Sequence, residues 1–278
     1  MVNLALSPFG VEIRRRIPQP AQPDAASPTA RVDGPRNSMR GLLEQCKKLG
    51  FHPQTIFDVG VGAGTPALYR AFPDAKLVLI EPLAEFRPCL EKIMEKYPNA
   101  CYFPAAASKE SGDITIHVHP DLVGSSLYLE DEDSNVNGEP RVVPAITLDE
   151  ICEKNHFEGP YLIKVDVQGA ELQVLQGGSQ VFDHTELVIL EVVLFQFFVG
   201  GSQFFDVISF MKQRGFVAYD IFDPHYRPLD HAMSQVDIAF VKEFGEFRKV
   251  HFFATREQRE SATEQMIQDF LREKENPG

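Results

Sequence analysis

The chain is 278 residues long, 44% hydrophobic, and sets 40 acidic against 27 basic residues for a net charge of −13. That length holds one large α/β domain, or a domain of about 200 residues with appendages, and the charge argues against a nucleic-acid partner, because phosphate polymers are repelled. No apolar run reaches the ~18 residues of a membrane span, no secretory leader is expected, and Cys46, Cys89, Cys101 and Cys152 form no CxxC pair, the pattern of reduced thiols in a cytoplasmic protein.

Residues 1–36 contain six prolines and read as an extended arm or linker, since proline lacks the donor that helices and sheets need. A helix is predicted over Ser38–Leu49, with Met39, Leu42, Leu43 and Cys46 at helical spacing and Gly50 as its stop. Strands follow at Thr55–Val59, Lys76–Ile80 and Ala100–Phe103, separated by helices at Thr65–Phe72 and Leu83–Tyr97. Pro66 is tolerated early in the first of these because its missing N–H has no partner there.

Beyond Phe103 the pattern changes. Asp113–His119 alternates as a strand, Glu130–Asn137 reads as an acidic surface loop, and Arg141–Pro144 reads as a short edge strand. Thr147 caps a helix running to Asn155. Tyr161–Val165 is a buried strand, Gly169–Gln176 a helix halted by Gly177-Gly178, and Leu187–Val193 the most apolar and central strand. A helix at Phe204–Arg214, strands at Phe216–Ile221 and Gln235–Val241, and a polar helix at Arg256–Glu275 complete the chain. The fold class is therefore α/β: a doubly wound, mostly parallel seven-stranded Rossmann-like sheet with an inserted β-hairpin and a late antiparallel strand. Its expected extent is 37–250, with the arm before it and a helical extension over 251–278 after it.

A doubly wound sheet binds its ligand beyond the carboxyl ends of its strands. That rule gathers Asp58–Gly64, Glu81, Phe103–Ala106, Asp166 and Glu191 at one crevice. Gly60, Gly62 and Gly64 form a Gly-x-Gly-x-Gly loop opening a helix, and Thr65 stands where the dinucleotide fingerprint wants glycine. Glu81, ending the next strand, is placed to accept both hydroxyl donors of a ribose. With Asp58 beside the loop, a cationic or zwitterionic nucleoside fits better than a pyrophosphate, and S-adenosyl-L-methionine has the required ribose, amino acid end and sulfonium.

Asp58-Val59-Gly60-Val61-Gly62-Ala63-Gly64 resembles motif I of the class I S-adenosylmethionine-dependent methyltransferases. Leu162-Ile163-Lys164-Val165-Asp166-Val167-Gln168-Gly169-Ala170-Glu171, with Val174-Leu175 and Gly177-Gly178, resembles the hallmark block of the FkbM-type methyltransferases. The resemblance covers residues 52–243 and implies that Gly60, Val61, Gly62, Gly64 and Thr65 line the methionine end of the cofactor. It further implies that Glu81 and Pro82 hold the ribose, that Ala105 and Ala106 lie near adenine, and that Ser126 belongs to a serine-rich segment near the site. Pro104-Ala105 replaces an Asn frequent in the family, so a side-chain contact to adenine is not expected.

Methyl transfer to an alcohol needs a base within hydrogen-bond reach. Asp166 is the first candidate from its strand-end position; anchoring of the Gly169 turn, capping, or holding the cofactor's amino group are the alternatives. Lys164 needs a buried partner, either Asp166 or Glu191. Glu191, flanked by apolar residues, reads either as a carboxylate with a raised pKa or as an ion-pair partner of Lys164. Glu171 reads as structural, favoured by a helix N-terminus. His225, in a turn after a late strand, is a second candidate base, and His117 and His119 read as a solvated strand face. The expected activity is transfer of a methyl group to a hydroxyl of a sugar, glycolipid or secondary metabolite. N-methyl transfer, or cofactor binding without transfer, stays open. No metal site is predicted, although metal-assisted chemistry through Asp166 and Glu191 is a variant. The expected partner is a small-molecule or glycan acceptor, with homo-oligomer contacts through the N-terminal arm or the C-terminal helix.

Overall fold

A computed structural model describes residues 36–130 and 135–275. The predicted proline-rich arm and the centre of the acidic loop lie outside the described residues. Two units are distinguished, Gly34–His251 and a second that includes the chain from Phe252 onward, and each is treated by itself. In the second, a helix runs over Arg256–Glu275, as its uninterrupted helix-forming residues predict. Its Met266, Ile267, Phe270 and Leu271 are exposed. Among the described residues no helix is long and apolar enough to cross a membrane.

In the first unit, ten strands alternate with seven α-helices among the described residues. The strands are β1 (Thr55–Val59), β2 (Lys76–Ile80), β3 (Ala100–Phe103), β4 (Ala106–Ala107), β5 (Gly112–Val118), β6 (Glu139–Ile146), β7 (Tyr161–Val165), β8 (Thr185–Val193), β9 (Phe216–Tyr226) and β10 (Met233–Lys242). The helices are α1 (Met39–Lys48), α2 (Pro66–Ala71), α3 (Arg87–Lys96), α4 (Leu148–Asn155), α5 (Glu171–Gln176), α6 (Ser179–Asp183) and α7 (Phe204–Gln213). A seven-stranded sheet has the order β3-β2-β1-β7-β8-β10-β9, with β10 antiparallel to both neighbours and the other pairings parallel. Strand order reverses between β1 and β7, and that reversal opens a crevice at their carboxyl ends.

The strands β1 and β7 are buried at every position because helices cover both sheet faces. Leu42, Leu43 and Cys46 of α1, Leu68 and Tyr69 of α2 and Leu90 of α3 pack on one face against Ile56, Leu162, Ile189 and Ala239. Leu148 and Ile151 of α4, Val174 and Leu175 of α5, Val181 and Phe182 of α6, and Val207 and Met211 of α7 cover the other. Ser38 caps α1 through its hydroxyl, which accepts from Gly41 N at 3.3 Å, and Thr147 caps α4 by accepting from Glu150 N at 3.0 Å.

The inserted element is larger than the expected hairpin. It is a three-stranded sheet, β4-β6-β5, with Leu83, Ile116, Val118 and Val143 as its own apolar cluster. The predicted edge strand Arg141–Pro144 is in fact the inner strand β6 and twice as long. Its prolines are compatible with that place because β4 pairs only with Ala145 and Ile146, beyond both Pro140 and Pro144. The predicted helix Leu83–Tyr97 is a 3₁₀ turn over Ala84–Phe86 followed by α3. The segment Asp223-Pro224-His225-Tyr226, read as a turn, belongs to β9, whose ladder to β10 is irregular there. Asp223 takes φ +47°, so a bulge re-aims the strand without ending it.

Candidate active site

The carboxyl ends of β1, β2 and β7, the facing parts of β8, β9 and β10, and the small sheet enclose a cavity of about 420 Å³, a size typical of small-molecule sites. Its apolar wall includes Phe86, Ile114, Ile116, Leu122 and Leu127. Of the site residues predicted from the sequence, Gly60, Val61, Gly62, Gly64, Thr65, Glu81, Pro82, Ala106, Ser126, Lys164, Asp166 and His225 reach this lining. Asp58 and Ala105 are not part of it.

The glycine loop is fixed from both sides. Gly60 N donates to Ile80 O at 3.0 Å on β2, and Asp166 N donates to Val59 O at 3.1 Å across from β7. Gly60 has φ +69°, and a Cβ there would stand 1.8 Å from the Asp166 carbonyl oxygen. Glycine is therefore required at this position by the protein's own backbone, where the sequence suggested a ligand. At Gly62, φ is +52° and a Cβ would meet only the Phe86 ring, at 3.8 Å. The space over that residue is open to the cavity.

Glu81 braces the loop from β2. Its Oε2 accepts from Gly62 N at 2.9 Å and its Oε1 from Leu83 N at 2.9 Å. Burial pushes its pKa up, and these two N–H donors pull against that. Each carboxylate oxygen retains a second acceptor site, so backbone bracing and recognition of a diol are compatible.

Asp58 lies beneath the loop, fully buried. Tyr69 OH donates to its Oδ2 at 2.5 Å, and Thr65 N donates to Tyr69 OH at 3.0 Å. On β1 this side chain shares the face of Ile56, which α2 covers, so it ties the start of α2 to the sheet. Ala105 is buried just before β4, and Ala106 and Ala107 supply the wall in its place.

A polar row crosses the same sheet face nearer the strand ends. Lys164 Nζ lies 3.1 Å from Asp166 Oδ2 and 3.9 Å from Asp58 Oδ1. Burial opposes its charge, but these two carboxylates outweigh burial and hold its pKa above the usual lysine value. Gln168 Nε2 donates to Asp166 Oδ1 at 3.0 Å and to Glu191 Oε2 at 2.8 Å, and Gln235 Nε2 donates to Glu191 Oε1 at 2.5 Å. Glu191 is thus held by two glutamines, and the sequence-based ion pair with Lys164 is replaced by that bridge. Burial, reinforced by Asp166 and Asp237, pushes its pKa up to about 8. Asp237, directly opposite Glu191 in the β8–β10 register, is pushed up to about 7 by burial and then by Asp166.

Gln168, Gln235, Asp223 and Asp237 line the cavity but were not singled out from the sequence. Gln168 is the most informative of them. It is a non-glycine residue at φ +53°, and such a conformation costs ~1–2 kcal/mol. Its side chain bridges two carboxylates, while its carbonyl accepts from Ser126 Oγ at 2.6 Å. His225 reaches the same corner, with Nδ1 3.4 Å from Gln235 Nε2. Among the described residues no group of three or more His, Cys, Asp or Glu is arranged to hold a metal ion.

Glu171 sits behind the site and is buried; its Oε1 accepts from Val167 N at 3.2 Å and Gly169 N at 3.1 Å. Burial pushes its pKa up to about 7 against those hydrogen bonds. A carboxyl with a raised folded-state pKa stabilises most below its unfolded value, and that contribution is lost as pH rises through the folded one. Folding stability should therefore fall between pH 4.5 and 7, by up to ~3 kcal/mol from this group. Glu171→Gln keeps an acceptor oxygen without a titration. Urea melts across that range should show a flatter slope for the variant, and identical slopes would exclude Glu171 as the source.

The methyltransferase FkbM domain matches residues 58–218, from the foot of the glycine loop into β9. The chain belongs to the FkbM methyltransferase family. Within 160 aligned residues it is 26% identical to the hexuronic acid methyltransferase AglP of Haloferax volcanii, a match spanning 57% of this chain and 62% of that protein. It is 22% identical over 230 residues to Methyltransferase 1 of Beauveria bassiana, spanning 75% of this chain and 90% of that one. Among solved structures, the methyltransferase FkbM from Methylobacillus flagellatus KT is 12% identical, with 66% of this chain and 43% of that chain covered at a TM-score of 0.42. The family match contains the loop, Glu81 and the Lys164–Gln168 turn, and it ends before Gln235 and Asp237.

Proposed function

We propose that the chain transfers the methyl group of S-adenosyl-L-methionine to a hydroxyl of a sugar or a related polyhydroxy acceptor. The observation that carries this reading is the pairing of Glu81 with the open loop at Gly62, a buried carboxylate with spare acceptor sites beside backbone that a Cβ would fill. Membership of the family supports the activity, and the name of the Haloferax volcanii relative supports a sugar acceptor.

In this reading Gly60–Thr65 receive the amino acid end, Glu81 and Pro82 the ribose, and Ala106 with the apolar wall the adenine. The cofactor supplies an electrophilic methyl group on a sulfonium. Lys164 neutralises Asp58 and orients Asp166, and Gln168 holds Asp166 and Glu191 apart at a fixed spacing, so the polar row keeps its geometry before an acceptor enters. Ser126 fixes the Gln168 carbonyl and with it the turn. Prior placement of the two reactants is where much of the rate of such a displacement arises.

Calorimetric titration with S-adenosylmethionine tests the cofactor, and no binding at millimolar concentration refutes it. Glu81→Gln removes the charge that strengthens hydrogen bonds from ribose hydroxyls and should weaken binding at least tenfold, about 1.4 kcal/mol. An unchanged Kd would remove Glu81 from the ribose site. Labelled cofactor incubated with methyl glycosides, with magnesium or with chelator, then tests the acceptor class and the need for a metal.

A further inference from the structure

Four carboxylates line the acceptor end of the cavity, and their hydrogen bonds separate them. Asp223 is held through Oδ2, which accepts from Met39 N of α1 at 3.1 Å. Both Asp166 oxygens are engaged, one by Lys164 and one by Gln168. Both Glu191 oxygens are engaged, one by Gln168 and one by Gln235. Asp237 lines the same cavity from β10, half-buried, and its carboxylate takes part in no hydrogen bond or ion pair among the described residues. Alternation along β10 sends Val236 and Ile238 into the core on one face and turns Asp237 to the face of Lys164, Asp166 and Glu191.

We propose that Asp237 accepts the proton of the acceptor hydroxyl during methyl transfer, an inference that rests on the methyltransferase reading above. The acceptor oxygen forms its bond to the methyl carbon while the sulfur–methyl bond breaks and leaves its electron pair on sulfur. The hydroxyl proton passes to a free Asp237 oxygen and later to solvent. The products are a methyl ether, a neutral thioether and a protonated Asp237, so charge balances. An alcohol needs such a base because its hydroxyl proton must leave as the oxygen takes the methyl group.

The surroundings suit the role. Lys164 and Asp166 from β7, Glu191 from β8, and Asp223 and His225 from β9 line the cavity with Asp237. Burial first, then Asp166, brings its pKa up to about 7, where a general base works near neutral pH. Asp166 and Glu191 act on this scheme as positioning residues for the row.

The test uses the full chain. In the free protein, carboxyl carbon NMR should show, beside Glu171, a second group titrating near pH 7, and only that second group should disappear in Asp237→Asn. Calorimetry at pH 7 in phosphate and in Tris should show that wild type releases more protons than Asp237→Asn on taking up cationic S-adenosylmethionine, because a nearby positive charge favours the ionised carboxylate. With labelled cofactor and methyl glycosides, Asp237→Asn should lose about 100-fold in turnover, with the Kd for the cofactor within about threefold of wild type. The wild-type rate should rise with pH up to about 7, a limb the variant lacks. Asp237→Glu restores a carboxylate and should recover part of each readout, which separates loss of the base from misfolding. Equal proton release by wild type and Asp237→Asn, or undiminished turnover, overturns Asp237 as the base. A wild type that binds no S-adenosylmethionine overturns the methyltransferase reading itself, and this inference with it.

Discussion

Gly60→Ala should lose at least ~3 kcal/mol of folding stability and all measurable cofactor binding. Two costs add at one carbon. A non-glycine residue at φ +69° is strained by ~1–2 kcal/mol. The new Cβ also stands 1.8 Å from the carbonyl oxygen of Asp166, so β1 and β7 must separate at the point where the crevice opens. Neither strand end can move freely, since Gly60 is bonded to Ile80 and Asp166 to Val59. Gly62→Ala is the control. Its Cβ finds only the Phe86 ring at 3.8 Å, so the fold should survive at a cost of ~1 kcal/mol, while the methyl group intrudes on ligand space. Urea midpoints with unchanged m-values, read beside calorimetric Kd values, separate the two variants. A wild-type midpoint for Gly60→Ala would show that the two strand ends are not in contact.

The contrast between those glycines shows what the sequence could and could not convey. Strands β1, β2 and β7 fall where their apolar runs place them, because strands covered on both faces carry a continuous hydrophobic signal. The loop and Glu81 were legible for a related reason: each follows directly from the end of such a strand. Asp58 was misplaced because sequence adjacency to the loop does not reveal that Tyr69 of α2 closes over its side chain, while Lys164 on the same face still reaches the cavity. β6 and β9 were cut short by Pro144 and by Asp223-Pro224, residues that usually end strands. In the structure, the prolines of β6 lie where β4 does not pair, and β9 bends through a bulge. Gln168, Gln235 and Asp237 were missed because their meaning depends on pairing across distant segments. Only the β8–β10 register sets Asp237 opposite Glu191, with more than forty residues of chain between them.

Lys164→Met should destabilise the protein by ~3–5 kcal/mol, the usual consequence of leaving a buried charge without its partner. Methionine fills a similar volume, so the loss is electrostatic and not a matter of packing. Asp58 is fully buried, and its Oδ1 has no hydrogen bond, so Lys164 at 3.9 Å is the charge that compensates it. Asp166 is two-thirds buried, with a side-chain exposure of 33%, and can draw on solvent when the lysine is removed. The cost should therefore arise mainly at Asp58, and a second substitution locates it. Asp58→Asn keeps an oxygen for the Tyr69 hydroxyl and removes the charge. In the double variant Lys164→Met with Asp58→Asn, stability should return to within ~1–2 kcal/mol of wild type, giving a coupling energy of at least ~2 kcal/mol in a double-mutant cycle. Strict additivity would place the lysine's stabilising role at Asp166 instead. Methyl transfer should not return with stability, because Asp166 still lacks the ammonium that orients it toward the polar row. A double variant that folds like wild type but transfers slowly would separate the part Lys164 plays in holding the sheet face together from the part it plays in shaping the site.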